Sequence, residues 1–212
     1  MQLLLGYMMN PSNDFAQKGY CVVKQAISKE LRDIATQYAL FDEMQDYVFD
    51  NAGLENGFGF ENAHAKHGDP LTESILLLLQ DKIEKITNLK LLPTYSFFRI
   101  YKNGNSLKVH KDRPSCEISA TLFLNDNDMT EHWPIFMSDK RVDLEPGDMV
   151  VYKGCELEHY REKMLGSEES WHIQVFLHYV DANGPFTEWI FDKRKNLGMS
   201  RQSLPPYVTR GL

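Results

Sequence analysis

His110 and Asp112 stand two positions apart in the run LKVHKD, and His159 follows far downstream, after the runs EPGD and MVVYKG. Strand alternation would put Lys108, His110 and Asp112 on one face and Leu107, Val109 and Lys111 on the other, so one imidazole and one carboxylate can reach a common point. His159 is the best-placed third donor. Two imidazoles and one carboxylate on one side of an ion leave the opposite positions open, the arrangement a non-haem iron(II) centre needs to take a chelating co-substrate and dioxygen. A structural zinc site would instead close four positions, usually with cysteines. Cys21, Cys116 and Cys155 show no CxxC spacing, so neither a zinc knuckle nor a disulfide framework is expected.

H-x-D alone recurs by chance, and its surroundings give it weight. The stretch YKNGNSLKVHKDRPSCEISATLFLN, followed by VDLEPGDMVVYKGCELEH, resembles the core of the prolyl-4-hydroxylase-like branch of the 2-oxoglutarate- and iron(II)-dependent oxygenases. The matching pieces are Tyr101 with Gly104, His110 with Asp112, Thr121 with Leu124 and Asn125, Pro146 with Gly147 and Asp148, and His159. They fall within residues 93–181, and the ending HIQVFLHYVD is similar to members of the family from bacteria and their phages. The resemblance implies a double-stranded β-helix (jelly roll) with Fe(2+) on His110, Asp112 and His159. It also implies 2-oxoglutarate and O2 as co-substrates, with ascorbate as a candidate reductant, and hydroxylation of an unactivated C–H bond. The substrate would be a small molecule, or a peptide or protein presenting a prolyl residue. Related halogenases carry a small residue in place of the carboxylate, so Asp112 speaks for hydroxylation.

By the same resemblance, a basic residue at the start of the last barrel strand holds the far carboxylate of 2-oxoglutarate. The matching positions here are Glu168, Glu169 and Ser170, and none is cationic. Arg161 is a substitute favoured by chemistry, because its planar fork suits a carboxylate. His172 is favoured by position, on one strand face with Ser170, Gln174 and Phe176. Arg99 is a third candidate, on the strand face of Tyr101, and Tyr101 takes the place of a tyrosine whose hydroxyl bonds that carboxylate. The competing reading is a cupin-like metal-binding protein or metalloenzyme that uses the same ligands without 2-oxoglutarate. His64, His67, His132 and His178 read as surface or structural histidines. Trp133, Trp171 and Trp189 read as core or rim aromatics, with Trp171 on the strand face opposite His172.

The elements that must carry these residues are legible as patterns. Ser28 with Glu30 opens a helix to about Asp46, with Leu31, Ile34, Ala35, Tyr38, Phe41 and Met44 at helical spacing. Residues 51–69 are rich in Gly and Asn and read as a loop or irregular edge. After Pro70 a second helix should show Leu71, Ile75, Leu78, Leu79, Ile83 and Ile86 on one face. From Pro93 the texture turns to short β-branched and aromatic runs cut by turn residues, enough for about eight strands. The expected fold is mainly β with flanking helices, a sandwich or jelly roll buttressed on one sheet.

The length of 212 residues, 42% of them apolar, suits a single domain. Helical support would span about 1–92, the jelly-roll core about 93–181, and a C-terminal extension 182–212. No long uncharged apolar run reads as a membrane span, and the opening MQLLLGYMM lacks the basic start and cleavage site of a secretion signal. The expected location is the cytoplasm, that of a host cell if the chain is phage-encoded. A net charge of −7 argues against a surface built for a phosphate backbone. The cluster Lys193, Arg194, Lys195, Arg201 and Arg210 reads as a solvated tail.

Overall fold

A computed structural model of the protein describes residues 11–49, 63–129 and 132–199. Among these residues ten strands form two antiparallel sheets. The major sheet runs in the order β1 (Tyr20–Val23), β8 (Met149–Lys153), β5 (Ile118–Asn127), β10 (Trp171–Asp181), β3 (Leu91–Lys102), β2 (His64–His67). The minor sheet runs in the order β4 (Leu107–His110), β9 (His159–Arg161), β6 (Ile135–Met137), β7 (Lys140–Val142). This is the expected jelly roll with flanking helices. β3 begins at Leu91, two residues before Pro93, and His64–His67 forms an edge strand on β3 within the stretch read as an irregular edge.

Helices α1 (Pro11–Lys18), α2 (Lys29–Phe49) and α3 (Pro70–Thr87) precede the main run of strands, and α2 and α3 pack on the major sheet. The Ser28 hydroxyl accepts from the Leu31 amide at 3.3 Å, so the expected cap of α2 forms. Asp69 caps α3, its Oδ1 accepting from the amides of Leu71 at 2.9 Å and Thr72 at 3.3 Å, with Pro70 in the first turn. α3 buries Ile75, Leu76, Leu79, Ile83 and Ile86, whereas Leu78 faces outward. On α2 the buried stripe runs through Ala35 and Ala39, with Leu31 and Tyr38 at its margin, while Ile34, Phe41 and Met44 lie exposed. At 3.6 residues per turn these three fall on one flank of the helix, beside the stripe rather than in it. Helix α1 and strand β1 were not legible, because four to eight residues are too few for a period to declare itself.

Alternation along β10 explains the rest of the architecture. Ile173, Val175, Leu177 and Tyr179 join the large core beneath the helices, together with Phe98 and Ile100 of β3. His172, Gln174, Phe176 and His178 point the other way, into the space between the sheets, as Phe97, Arg99 and Tyr101 do on β3. Phe123, Ile135, Met137, Val142, Leu144, Val150 and Tyr152 fill one part of that space. The remainder is lined by polar and aromatic side chains. A sheet face that buries histidine, glutamine and arginine where valine would fit is an expensive arrangement for stability alone.

Arg194 departs from the expected solvated tail. Its guanidinium is almost fully buried, in an ion pair with Glu73, and donates to Thr94 O at 3.0 Å and Phe191 O at 2.9 Å. The C-terminal stretch therefore docks back on α3 and β3 as far as Met199. Arg201 and Arg210 lie outside the described residues.

Candidate metal centre

His110 ends β4 and His159 begins β9, and the two are directly paired across the minor sheet. Asp112 lies two residues past the end of β4, its backbone amide donating to Gly154 O at 2.9 Å. One donor atom from each of the three residues falls within 4.8 Å of the others. Asp112 Oδ1 is 3.7 Å from His110 Nε2 and 3.5 Å from His159 Nε2, and the two rings are 4.2 Å apart at their centroids. The sequence expectation that these residues meet at a common point is met in the fold.

The histidines are held in a particular tautomer. His110 Nδ1–H donates to Lys108 O at 2.8 Å and His159 Nδ1–H to Leu157 O at 3.1 Å. Each Nε2 lone pair is thereby left for the shared point, the arrangement that metal-binding imidazoles adopt. Burial alone would raise the Asp112 carboxyl. Hydrogen bonding to His159, the charges of His178 and His159, and the Ser119 hydroxyl together outweigh that and hold it down at about 2. The donor set therefore offers an ionised carboxylate and two imidazole nitrogens, which fits a divalent cation with hard-to-borderline preferences.

The centre opens on a cavity of about 440 Å³ between the sheets. Arg99, Tyr101, Phe97 and Phe176 line one side, and Tyr95, His67, His178 and Arg113 another. His178 is the structural rather than the surface kind: it is buried, its ring packs on Tyr95 at 4.5 Å, and His67 stacks on the same tyrosine at 4.5 Å. Arg113 closes on Asp192 with two bonds, at 2.8 and 2.9 Å. His64 pairs with Asp42 at 2.9 Å, and His132 with Asp126 at 2.8 Å. Trp133 is buried against Tyr101, and Trp171 and Trp189 are half-buried, so all three serve packing as expected.

Tyr101 reaches the cavity, but Arg161 and His172 are not in its wall. The Arg161 fork donates to Trp133 O and, at 3.2 Å, to Gln174 Oε1, and its face lies 4.8 Å from the Trp133 ring. Its buried Nε–H has no hydrogen-bond partner. Burial pulls the guanidinium down to about 10, so it remains charged at neutral pH. His172 stacks on Phe123 at 4.4 Å and bonds Gln174 Oε1 at 2.9 Å. Burial pulls its ring down to about 4, so it is neutral at pH 7. Arg99, by contrast, is buried in the cavity wall directly opposite Gln174. Ser119, His178 and Arg113 were not singled out by residue type. The signal that could have found His178 is the period-two alternation of HIQVFLHYV, which carries the face of His172 and Gln174 on to His178.

No protein-family model matches the chain, and no curated protein sequence does. Solved structures do. A prolyl-4-hydroxylase from Pseudomonas putida aligns with TM-score 0.59 at 16% identity, over 80% of this chain and 97% of its own. A Trichoplax adhaerens prolyl hydroxylase, in complex with a hypoxia inducible factor peptide, aligns with TM-score 0.61 at 15% identity, over 81% and 88%. HygX from Streptomyces hygroscopicus, with nickel and 2-oxoglutarate bound, aligns with TM-score 0.56 at 12% identity, over 81% and 86%. The chain has the double-stranded β-helix fold of these proteins.

Proposed function

We propose that the protein is an iron(II)- and 2-oxoglutarate-dependent dioxygenase that hydroxylates an unactivated C–H bond. The observation that carries this is the convergence of His110 Nε2, Asp112 Oδ1 and His159 Nε2, with both Nδ1–H groups already engaged by backbone carbonyls, at the edge of a cavity between the sheets. The shared fold supports it. When bound, iron(II) with 2-oxoglutarate and O2 supplies the oxidising power for hydroxylation, releasing succinate and carbon dioxide.

The chain's own residues would do three things. His110, Asp112 and His159 hold the metal from one side. Arg99 and Tyr101, on the cavity wall, receive the far carboxylate of 2-oxoglutarate, with the positive charge of Arg161 behind them. Arg161 suits that role because no carboxylate among the described residues neutralises it, and a buried unpaired charge is costly without an anion. Phe97, Phe176 and Tyr95 keep water from the reacting centre. A prolyl residue in a peptide or protein is the favoured substrate, since the similar solved structures include prolyl hydroxylases.

Oxygen uptake and succinate release with 2-oxoglutarate and iron(II) test the reading. Turnover should depend on both and vanish in an Asp112→Ala, His159→Ala double variant. Full metal occupancy in that variant would refute the ligand assignment. Metal binding without any binding of 2-oxoglutarate would instead favour a cupin-like protein.

A further inference from the structure

Asp112 presents its two oxygens to different partners. Oδ1 faces the two histidines, whereas Oδ2 accepts from the Ser119 hydroxyl at 2.8 Å. A hydroxyl has one proton to give, so the direction in which Ser119 gives it must be set from behind. His178 Nδ1 lies 2.9 Å from the Ser119 oxygen, while the competing acceptor, Cys116 O, is 3.1 Å away. With Nδ1–H donating to Ser119, the serine proton is directed at Asp112. The backbone fixes this chain of contacts, because Ser119 and His178 are direct partners in the β5–β10 pairing. Gly154 leaves the room. A Cβ there would lie 2.5 Å from Asp112 Oδ2 and 2.8 Å from the Ser119 oxygen.

We infer that Ser119 and His178 are positioning residues that hold Asp112 as a one-oxygen ligand and so preserve an open coordination position on the metal. The inference rests on the metal-centre reading above. With three protein donors, an octahedral ion keeps three positions, two for a chelating co-substrate and one for dioxygen. A carboxylate free to turn and chelate with both oxygens would remove one of them. Occupying Oδ2 with a serine hydroxyl prevents that turn, and His178 prevents the serine from rotating away.

Manganese(II) binding to the metal-free protein, read by electron paramagnetic resonance, tests this without any turnover. Water-proton relaxation counts the waters left on the ion. Ser119→Ala should weaken binding about 10- to 100-fold, the usual effect of losing a group that orients a ligand, and should lower the count of exchangeable waters by one. His178→Phe keeps a ring stacked on Tyr95 and should reproduce both changes, whereas His178→Asn, which puts an amide N–H where Nδ1 stands, should restore both toward wild type. A merely structural role would give the opposite order, with phenylalanine tolerated better than asparagine. The His178 pair carries the test alone if the alanine variant does not fold. Wild-type affinity and water count in His178→Phe would overturn the inference. Failure of the wild-type protein to bind manganese(II) would overturn the metal-centre reading itself, and this inference with it.

Discussion

Tyr101 and His172 lie directly opposite one another across the β3–β10 pairing, their rings 6.4 Å apart, yet only Tyr101 reaches the cavity wall. His172 is held flat against Phe123 and turned to Gln174, and burial keeps it uncharged at neutral pH. The cations that converge on this level of the sheet are Arg99, paired opposite Gln174, and Arg161, which donates to Gln174.

Affinity for 2-oxoglutarate is therefore expected to be flat from pH 6 to pH 8, because guanidinium groups do not titrate there. Isothermal titration should show Arg99→Ala weakening the complex by about 2–5 kcal/mol, as when one partner of a buried charge pair is removed. Arg161→Ala should weaken it less, and His172→Phe hardly at all. A fall in affinity across that pH range that disappears in His172→Phe would restore His172 as the anchor.

The convergence of His110, Asp112 and His159 was legible in the sequence because strand alternation and the spacing of turn residues are local. The jelly roll was legible for the same reason. The anchor was not, since Arg161, His172 and Arg99 are separated by whether a side chain faces the cavity or lies behind its wall, and that depends on register between strands far apart in sequence. The bulge between Ile173 and Gln174 shifts β10 against β5 by one residue, and no pattern in WHIQVF announces it. Ser119 was invisible because a buried serine between alanine and isoleucine reads as filler.

His172 also leaves a signature in stability. Its ring is held at about 4 against an ordinary 6.5, so below pH 6.5 the unfolded chain takes up the proton more readily than the folded one. Stability from this residue is thus fully present above pH 6.5 and is lost as pH falls toward 4, by about 3 kcal/mol. Urea unfolding of His172→Phe across that range should show a loss smaller by roughly that amount. Parallel curves for the two proteins would show that the ring is already accessible to protons in the fold.

Gly154 should tolerate no side chain. Its Cβ would press on the Cys116 carbonyl as well as on Asp112 Oδ2, and backbone and carboxylate cannot both yield without moving the metal ligand. Gly154→Ala is expected to lower unfolding free energy by about 1–3 kcal/mol, the usual range for overpacking, and to weaken manganese(II) binding at the same time. Denaturation with a metal titration checks both. Loss of stability with unchanged metal affinity would mean that the strain is relieved toward Cys116 and not toward Asp112.

The C-terminal stretch is fastened beside the cavity by Asp192, as it is on α3 by the pairing of Arg194 with Glu73. Asp192 is buried, takes two bonds from Arg113, and lies 3.0 Å from His67 Nε2. It sits with Phe191 and Lys193 in three successive left-handed conformations, at φ +52°, +55° and +61°. Each such residue without a glycine's freedom is strained, and the conformation persists only where contacts over-determine it. The Arg113 to Asp192 clasp is the contact that does so. Asp192→Ala should release residues 187–199, so hydrogen exchange there rises sharply while the amides of β5 and β10 keep their protection. Because the Arg113 side chain is 37% exposed, the cost in global stability should be about 1–3 kcal/mol, below that of a fully buried pair. Asp192→Asn, which keeps the shape and one acceptor, should fall between the two. Unchanged exchange over residues 187–199 in Asp192→Ala would show that Arg194 and its bond to Glu73 hold the segment without the clasp.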